Sequence, residues 1–306
     1  MKTTLTYSAI IISFLAIFAK DITAQESAAV NASIEIKLSG SSFMVGEDIW
    51  LEVSVRNTGT RSTALNEPLL VGGNVHCVVT DSRGGVFANP DWVDALPMNS
   101  ELAPGMEVKR LSPLLNHVGT SLRGQTFFAH LPPEQYSLYC EFQLPDFSKI
   151  RSETIRFSVE RPAGNLKDVW SRLVAIDRRP HTGNARAEKL SQFKDFVRAY
   201  SASPWTPAIL SVICVMDKEG SVEYVRELLN KFPDSPHCDF ALVDLARLTT
   251  RSEFDLEISA LKSSSGTTRL GNLLRSLAGE TVEDLTLTAP VSELIKVAQT
   301  KGSAEN

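Results

Sequence analysis

The chain has 306 residues, 43% of them hydrophobic and 22% charged, with a formal net charge of −5. That length supports two cores, since single cores tend to split beyond roughly 250–300 residues. The composition is ordinary for a globular protein. The acidic balance argues against a nucleic-acid binder, which needs a basic stripe to displace counterions.

The first residues read as an export signal. Lys2 gives a basic start, and Leu5 to Ala19 is an apolar run ended by Lys20 and Asp21. At about 15 residues it falls short of the roughly 20 that a membrane-spanning helix needs. Small residues offer cleavage after Ala24 or after Ala29, and we take residues 1–29 as a signal peptide. An uncleaved N-terminal anchor is the other reading. The mature chain is expected in the periplasm or outside the cell, without insertion into a membrane.

From Ala32 to Glu160 the hydrophobic period is two, the signal of half-buried strands. Ile34, Ile36 and Leu38 alternate with polar residues, as do Ile49, Leu51, Val53 and Val55. Val75, Cys77 and Val79 follow, then Tyr136, Leu138, Cys140, Phe142 and Leu144. Weaker strands are expected at Val108–Leu115 and Thr126–Leu131, and a last one at Ile150–Val159. Asn57-Thr58-Gly59 and Asp81-Ser82-Arg83-Gly84-Gly85 mark turns. Residues 30–161 are therefore expected to form an antiparallel β-sandwich, two sheets face to face. Asn89 to Gly105 is the longest stretch without alternation. Its Trp92 marks a candidate binding loop, or a cover folded over a sheet edge.

Four cysteines in an exported chain permit disulfides. Cys77 and Cys140 fall in the first half, Cys214 and Cys238 in the second, so pairing within each half is the natural proposal. The alternative is that each packs as a small hydrophobe.

The period changes at Arg161-Pro162-Ala163-Gly164, and residues 162–306 read as helical. Val169, Trp170, Leu173 and Ile176 fall on one stripe, and Leu190, Phe193, Phe196, Val197 and Tyr200 on another. Ser203-Pro204 and Ser235-Pro236 each place a capping hydroxyl before a proline at the start of a helix, 32 residues apart (203 to 235). The same step reaches Thr267. It also aligns Leu210, Leu242 and Leu274; Ile213, Leu245 and Leu277; and Cys214, Ala246 and Ala278. Val222, Val225, Leu228 and Leu229 form a second helix, ended by Phe232-Pro233-Asp234. These units match the roughly 34 residues of a tetratricopeptide repeat. Ala289-Pro290 interrupts the third copy, and Val291–Ala298 is expected to cap the array. An irregular helical domain is the alternative.

The first half resembles immunoglobulin-like modules of bacterial envelope proteins. Phe43 with Val45-Gly46-Glu47-Asp48-Ile49 looks like the start of their second strand, and Ala103-Pro104-Gly105 like the turn before a central one. Leu131-Pro132-Pro133-Glu134-Gln135-Tyr136 looks like the corner where a tyrosine bonds back to the turn. Cys140 departs from the antibody pattern, standing four residues after Tyr136 rather than two. In the second half, Phe232 to Leu242 resembles the junction between tetratricopeptide-like repeats of envelope-assembly proteins, although the usual Trp, Gly and Tyr are missing. The first resemblance implies an adhesive, structural or spacer unit, and carries no chemistry of its own.

There is no His-Glu-x-x-His, no Gly-x-Ser-x-Gly and no phosphate or dinucleotide glycine loop. Ser191 and Lys194 fit Ser-x-x-Lys, but read as a solvated helix face beside an apolar stripe. His76-Cys77 and His237-Cys238 lack further ligands at metal-site spacing. No catalytic residue, cofactor or metal ligand is assigned. The reading is an exported, non-enzymatic binding or scaffold protein of the bacterial cell envelope, its helical repeats offering a groove to a protein or peptide. The alternative is a secreted β-sandwich module that recognises carbohydrate or inhibits a protease.

Overall fold

Alternating apolar and polar residues build the first half from short strands. The computed structural model describes residues 31–66, 68, 74–88, 99–114, 131–177, 183–217, 220–282, 285–288 and 291–302. The proposed signal peptide, Trp92 and most of the strand expected at Thr126–Leu131 lie outside them. In one sheet β3 (Trp50–Asn57) runs between β1 (Ala32–Leu38) and β8 (Glu107–Pro113). The other runs in the order β2 (Ser42–Met44), β11 (Ile155–Glu160), β9 (Glu134–Gln143), β5 (Val75–Asp81), β6 (Val86–Ala88), with β10 (Lys149–Arg151) also on β9. A small third sheet pairs β4 (Thr63–Asn66) with β7 (Asn99–Leu102).

Leu51, Val53 and Val55 of the first sheet share one buried cluster with Val79, Leu138, Phe142 and Phe157 of the second. The region is therefore sandwich-like, held by apolar side chains between two layers. Pairing is antiparallel except that β2 lies parallel to β11. The chain crosses between sheets after β1, and so meets the edge in the direction β11 already takes. Cys77 and Cys140 stand in register on β5 and β9 and are joined by a disulfide. The bond staples neighbours within one sheet instead of tying two sheets together. Spanning a sequence separation of 63, it contributes about 2–4 kcal/mol. Tyr136 Oη donates to Pro132 O at 2.7 Å, closing the corner before β9.

The single strand read over Ile150–Val159 is two strands, β10 and β11. Buried Ser152 separates them: its N–H still donates to Cys140 O at 2.9 Å, but its Oγ takes the Cys140 N–H at 3.0 Å in place of a backbone carbonyl and donates to Glu153 O at 2.9 Å.

Gly164, at φ 57, turns the chain out of the sheets. The described helices are α1 (Asn165–Asp177), α2 (Gly183–Ala199), α3 (Thr206–Met216), α4 (Ser221–Lys231), α5 (Cys238–Leu248), α6 (Arg251–Ser265), α7 (Arg269–Leu277) and α8 (Val291–Gly302). Leu210, Leu242 and Leu274 are each 0% exposed. The starts of α3 and α5 keep the 32-residue step (206 to 238). The expected caps differ. Ser203 and Ser235 accept from the backbone N–H of Trp205 and His237, both at 3.3 Å, and so shape the turn before the helix instead of capping it. In the third copy the cap is Thr268, which accepts from Gly271 N at 3.2 Å, not Thr267. Helix α5 packs mainly against α4 and α8 and more lightly against α6. Cys214 and Cys238 are unpaired; the Cys238 thiol instead donates to Phe232 O at 3.2 Å.

The two halves meet along a seam that period alone does not reveal. The corner at Val45-Gly46 reaches the helices, where Trp205 Nε1 donates to Val45 O at 3.0 Å. Gly46 has φ +80, and a Cβ there would overlap the Trp170 ring. Trp170 in turn lies against Trp205, their centroids 5.3 Å apart. Farther along, His237 Nε2 and Asp48 Oδ2 are 2.6 Å apart, and the His237 ring meets Trp50 edge-on at 5.2 Å. A third contact runs from Leu111 N to Leu287 O at 3.0 Å. The segment carrying Leu287 is pinned to the helices. Buried Asp239 accepts from Thr288 N and from Arg269 at 2.8 and 2.7 Å, and Arg269 also donates to Thr286 O.

Candidate functional site

Helices α6, α7 and α8 leave an open pocket of about 240 Å³ between them. Thr250 starts α6 with a reciprocal capping box: Thr250 N donates to Glu253 Oε2 at 2.8 Å, and Glu253 N to Thr250 Oγ1. The four-residue spacing then brings Phe254, Ile258 and Lys262 onto one face. Leu274, Leu277 and Ala278 come from the last turns of α7, and Ser292, Ile295 and Lys296 from α8.

Floor and rim differ in chemistry. Phe254, Leu274 and Ile295 are also core residues, 6%, 0% and 8% exposed, so the floor is fixed by packing behind it. The only charged groups in the lining are the two lysines. Both are exposed, and neither has an ion-pair partner among the described residues. Lys262 stands in the last turn of α6, where the helix C-terminus favours a cation. An apolar floor rimmed by ammonium groups can bury a side chain and hold carboxylates beside it.

The residues singled out from the sequence go elsewhere. Ser191 is exposed, and Lys194 is committed to Asp217, which holds its ammonium above the ordinary lysine range. A base for Ser191 is therefore absent from that pair. Cys77 is consumed by its disulfide. His237 belongs to the seam, and burial pushes the Cys238 thiol up to about 12, leaving it a packing group. Among the described residues no three His, Cys, Asp or Glu side chains are placed to hold a metal. No described helix is long and apolar enough to cross a membrane. Sequence reasoning missed Lys262 and Lys296 altogether. Their one signal, a lysine four residues after Ile258 and another directly after Ile295, is shared by most amphipathic helices.

No protein-family model matches the chain, and no curated protein matches it. Solved structures show partial likenesses. One is the CARDB domain of a Pyrococcus furiosus protein in complex with di-metal ions, at 13% identity and a TM-score of 0.25, covering 43% of this chain and 94% of that one. Another is the sporulation control protein Spo0M of Bacillus subtilis, at 11% identity and a TM-score of 0.26, covering 48% of this chain and 56% of that one. A β-glucosidase of Listeria innocua matches at 13% identity and a TM-score of 0.24, over 42% of this chain and 16% of its own. None of these carries an argument about function. The sandwich-like character of the first half rests on its own strand pairing and shared core.

Proposed function

We propose that this is an exported, non-enzymatic binding protein of the bacterial cell envelope, which presents its helical half to a protein or peptide partner in the periplasm or outside the cell. The observation that carries the reading is the pocket between α6, α7 and α8. Six apolar side chains line it without filling it, three of them shared with the core of the helical half. An engineered apolar cavity of about 150 Å³ holds a benzene ring. A pocket of about 240 Å³ therefore takes one large side chain, below the roughly 300–1,000 Å³ of drug-sized sites. In this reading the first half is an immunoglobulin-like module that positions the molecule, and the second a degenerate tetratricopeptide-like array. The apolar N-terminal run supports export.

Peptide display against the intact chain tests it. Selected peptides should share a large apolar residue and should lose at least tenfold in affinity, about 1.4 kcal/mol, when Ala278→Leu fills the pocket. Circular dichroism would verify that the variant stays folded. Selection of nothing, or of peptides indifferent to Ala278→Leu, would remove the binding role from this site.

A further inference from the structure

We infer that the pocket reads an acidic peptide segment: one large apolar side chain enters between α6, α7 and α8, while carboxylates on either side of it meet Lys262 and Lys296. The inference rests on the binding role proposed above and adds the chemical class of the ligand. Three observations carry it.

The first is charge. The molecule has a formal net charge of −5, yet the pocket lining carries two ammonium groups and no carboxylate. The local sign is the reverse of the whole. Such an inversion steers anionic segments to the site and disfavours cationic ones. The second is that neither ammonium has an ion-pair partner among the described residues. Elsewhere in the helical half charges find partners, such as Arg226 with Glu257 at 2.6 Å and Arg247 with Asp244 at 3.1 Å. Lys262 and Lys296 have none among the described residues. The third is arrangement. The lysines come from different helices, α6 and α8, with the apolar floor supplied chiefly from α6, α7 and α8 together. A single-headed amphiphile such as a fatty acid offers one anion. An acidic–apolar–acidic stretch of peptide offers two, and its apolar side chain suits a pocket of about 240 Å³. Lysine stems that only cover apolar surface, with their heads in water, would give no preference between acidic and neutral peptides.

The test uses the intact chain and three end-blocked fluorescent peptides: one leucine flanked by glutamates, the same peptide with glutamines, and the glutamate peptide with alanine for leucine. Dodecanoate serves as the lipid comparison. The acidic leucine peptide should bind about three- to tenfold more tightly than the glutamine version at low salt, the range expected of two exposed charge pairs. The two should converge as ionic strength rises to about 0.5 M. The double variant Lys262→Glu with Lys296→Glu should reverse the preference, favouring a peptide with lysines in place of the glutamates. Reversal is a gain of binding, so a misfolded variant cannot mimic it. Equal binding of the glutamate and glutamine peptides would overturn the acidic assignment while leaving a peptide pocket in place. Equal binding of the leucine and alanine peptides would remove the pocket itself. Displacement of the peptide by dodecanoate at lower concentration, with loss of the glutamate preference, would make the site a lipid site and overturn the inference.

Discussion

At the scale of single residues, Gly46 is where backbone and packing both forbid a side chain. Its φ of +80 favours glycine, and the Trp170 ring occupies the place of a Cβ. Gly46→Ala should cost about 1–3 kcal/mol, the range for strained backbone, and should change tryptophan fluorescence, since Trp170 must move. Chemical denaturation followed by both fluorescence and circular dichroism checks it, and an unchanged midpoint would mean that the corner yields freely. Glu107 gives a prediction in pH. The Lys109 ammonium beside it, then Ser54 and Arg56, hold its carboxyl at about 2, well below its ordinary 4.5. A carboxyl lowered on folding stabilises the fold above the unfolded value and loses that contribution as protons bind the folded form. The contribution should therefore be complete above about 4.5 and fade as pH falls toward 2. Glu107→Gln should flatten the acid limb of the stability profile in that window and leave its slope near neutrality unchanged.

Among the elements, the equivalent leucines of the helical half bear on the 32-residue register. Leu210, Leu242 and Leu274 are fully buried in α3, α5 and α7, so each Leu→Ala change should cost about 2–5 kcal/mol. Leu242→Ala should be the most damaging, because α5 packs against both α4 and α8. Leu274→Ala should be the mildest, because that side chain already borders the open pocket. Thermal unfolding of the three variants ranks them, and three equal effects below about 0.5 kcal/mol, as at surface sites, would reduce the register to coincidence. These elements also show what a sequence displays and what it hides. Strands β1, β3, β5 and β9 are long enough for alternation to show, whereas β2 and β6, with 3 residues each, are too short to carry a period. In β3 the alternation exposes only half the burial: on the face away from Leu51 and Val53, Trp50 is 5% exposed beside His237 of the seam, and Ser54 is 7% exposed, its hydroxyl donating to Glu107 at 2.9 Å. Contacts across about 190 positions, such as Asp48 with His237 (|i−j| = 189), leave no local signature. The pocket was hidden for a related reason. The helical spacing of Phe254 and Ile258 fits a core face as well as a pocket wall, and only tertiary distance decides whether such a face is filled or left open.

For the whole molecule, the seam turns a change of hydrophobic period into a question of cooperativity. The sandwich-like half has its own buried cluster, yet Val45 O, Asp48 and Trp50 are all engaged by the helices. A fragment of residues 30–161 should fold with strand-type circular dichroism. It should unfold at a lower denaturant concentration than the same half within the intact chain, and bind more of an apolar dye. An identical midpoint would mean that the seam adds no stability. An unfolded fragment would mean that the two halves share one core. Limited proteolysis adds a kinetic view, since cleavage near 162–164 should speed up in Gly46→Ala, where the seam is disturbed.

One contact of that seam has a consequence for how molecules of this protein behave toward one another. Strand β8 is the outer strand of its sheet, and an outer strand offers its unpaired N–H and C=O groups to any passing chain. Here Leu287 O takes the Leu111 N–H at 3.0 Å, and Asp239 and Arg269 hold that segment in place from behind. The segment between α7 and α8 thus works as a guard rail against edge-to-edge association. The double variant Arg269→Ala with Thr288→Ala would unpin that segment while leaving α8 on α5, and light scattering at rising concentration should reveal self-association in it that the intact protein does not show.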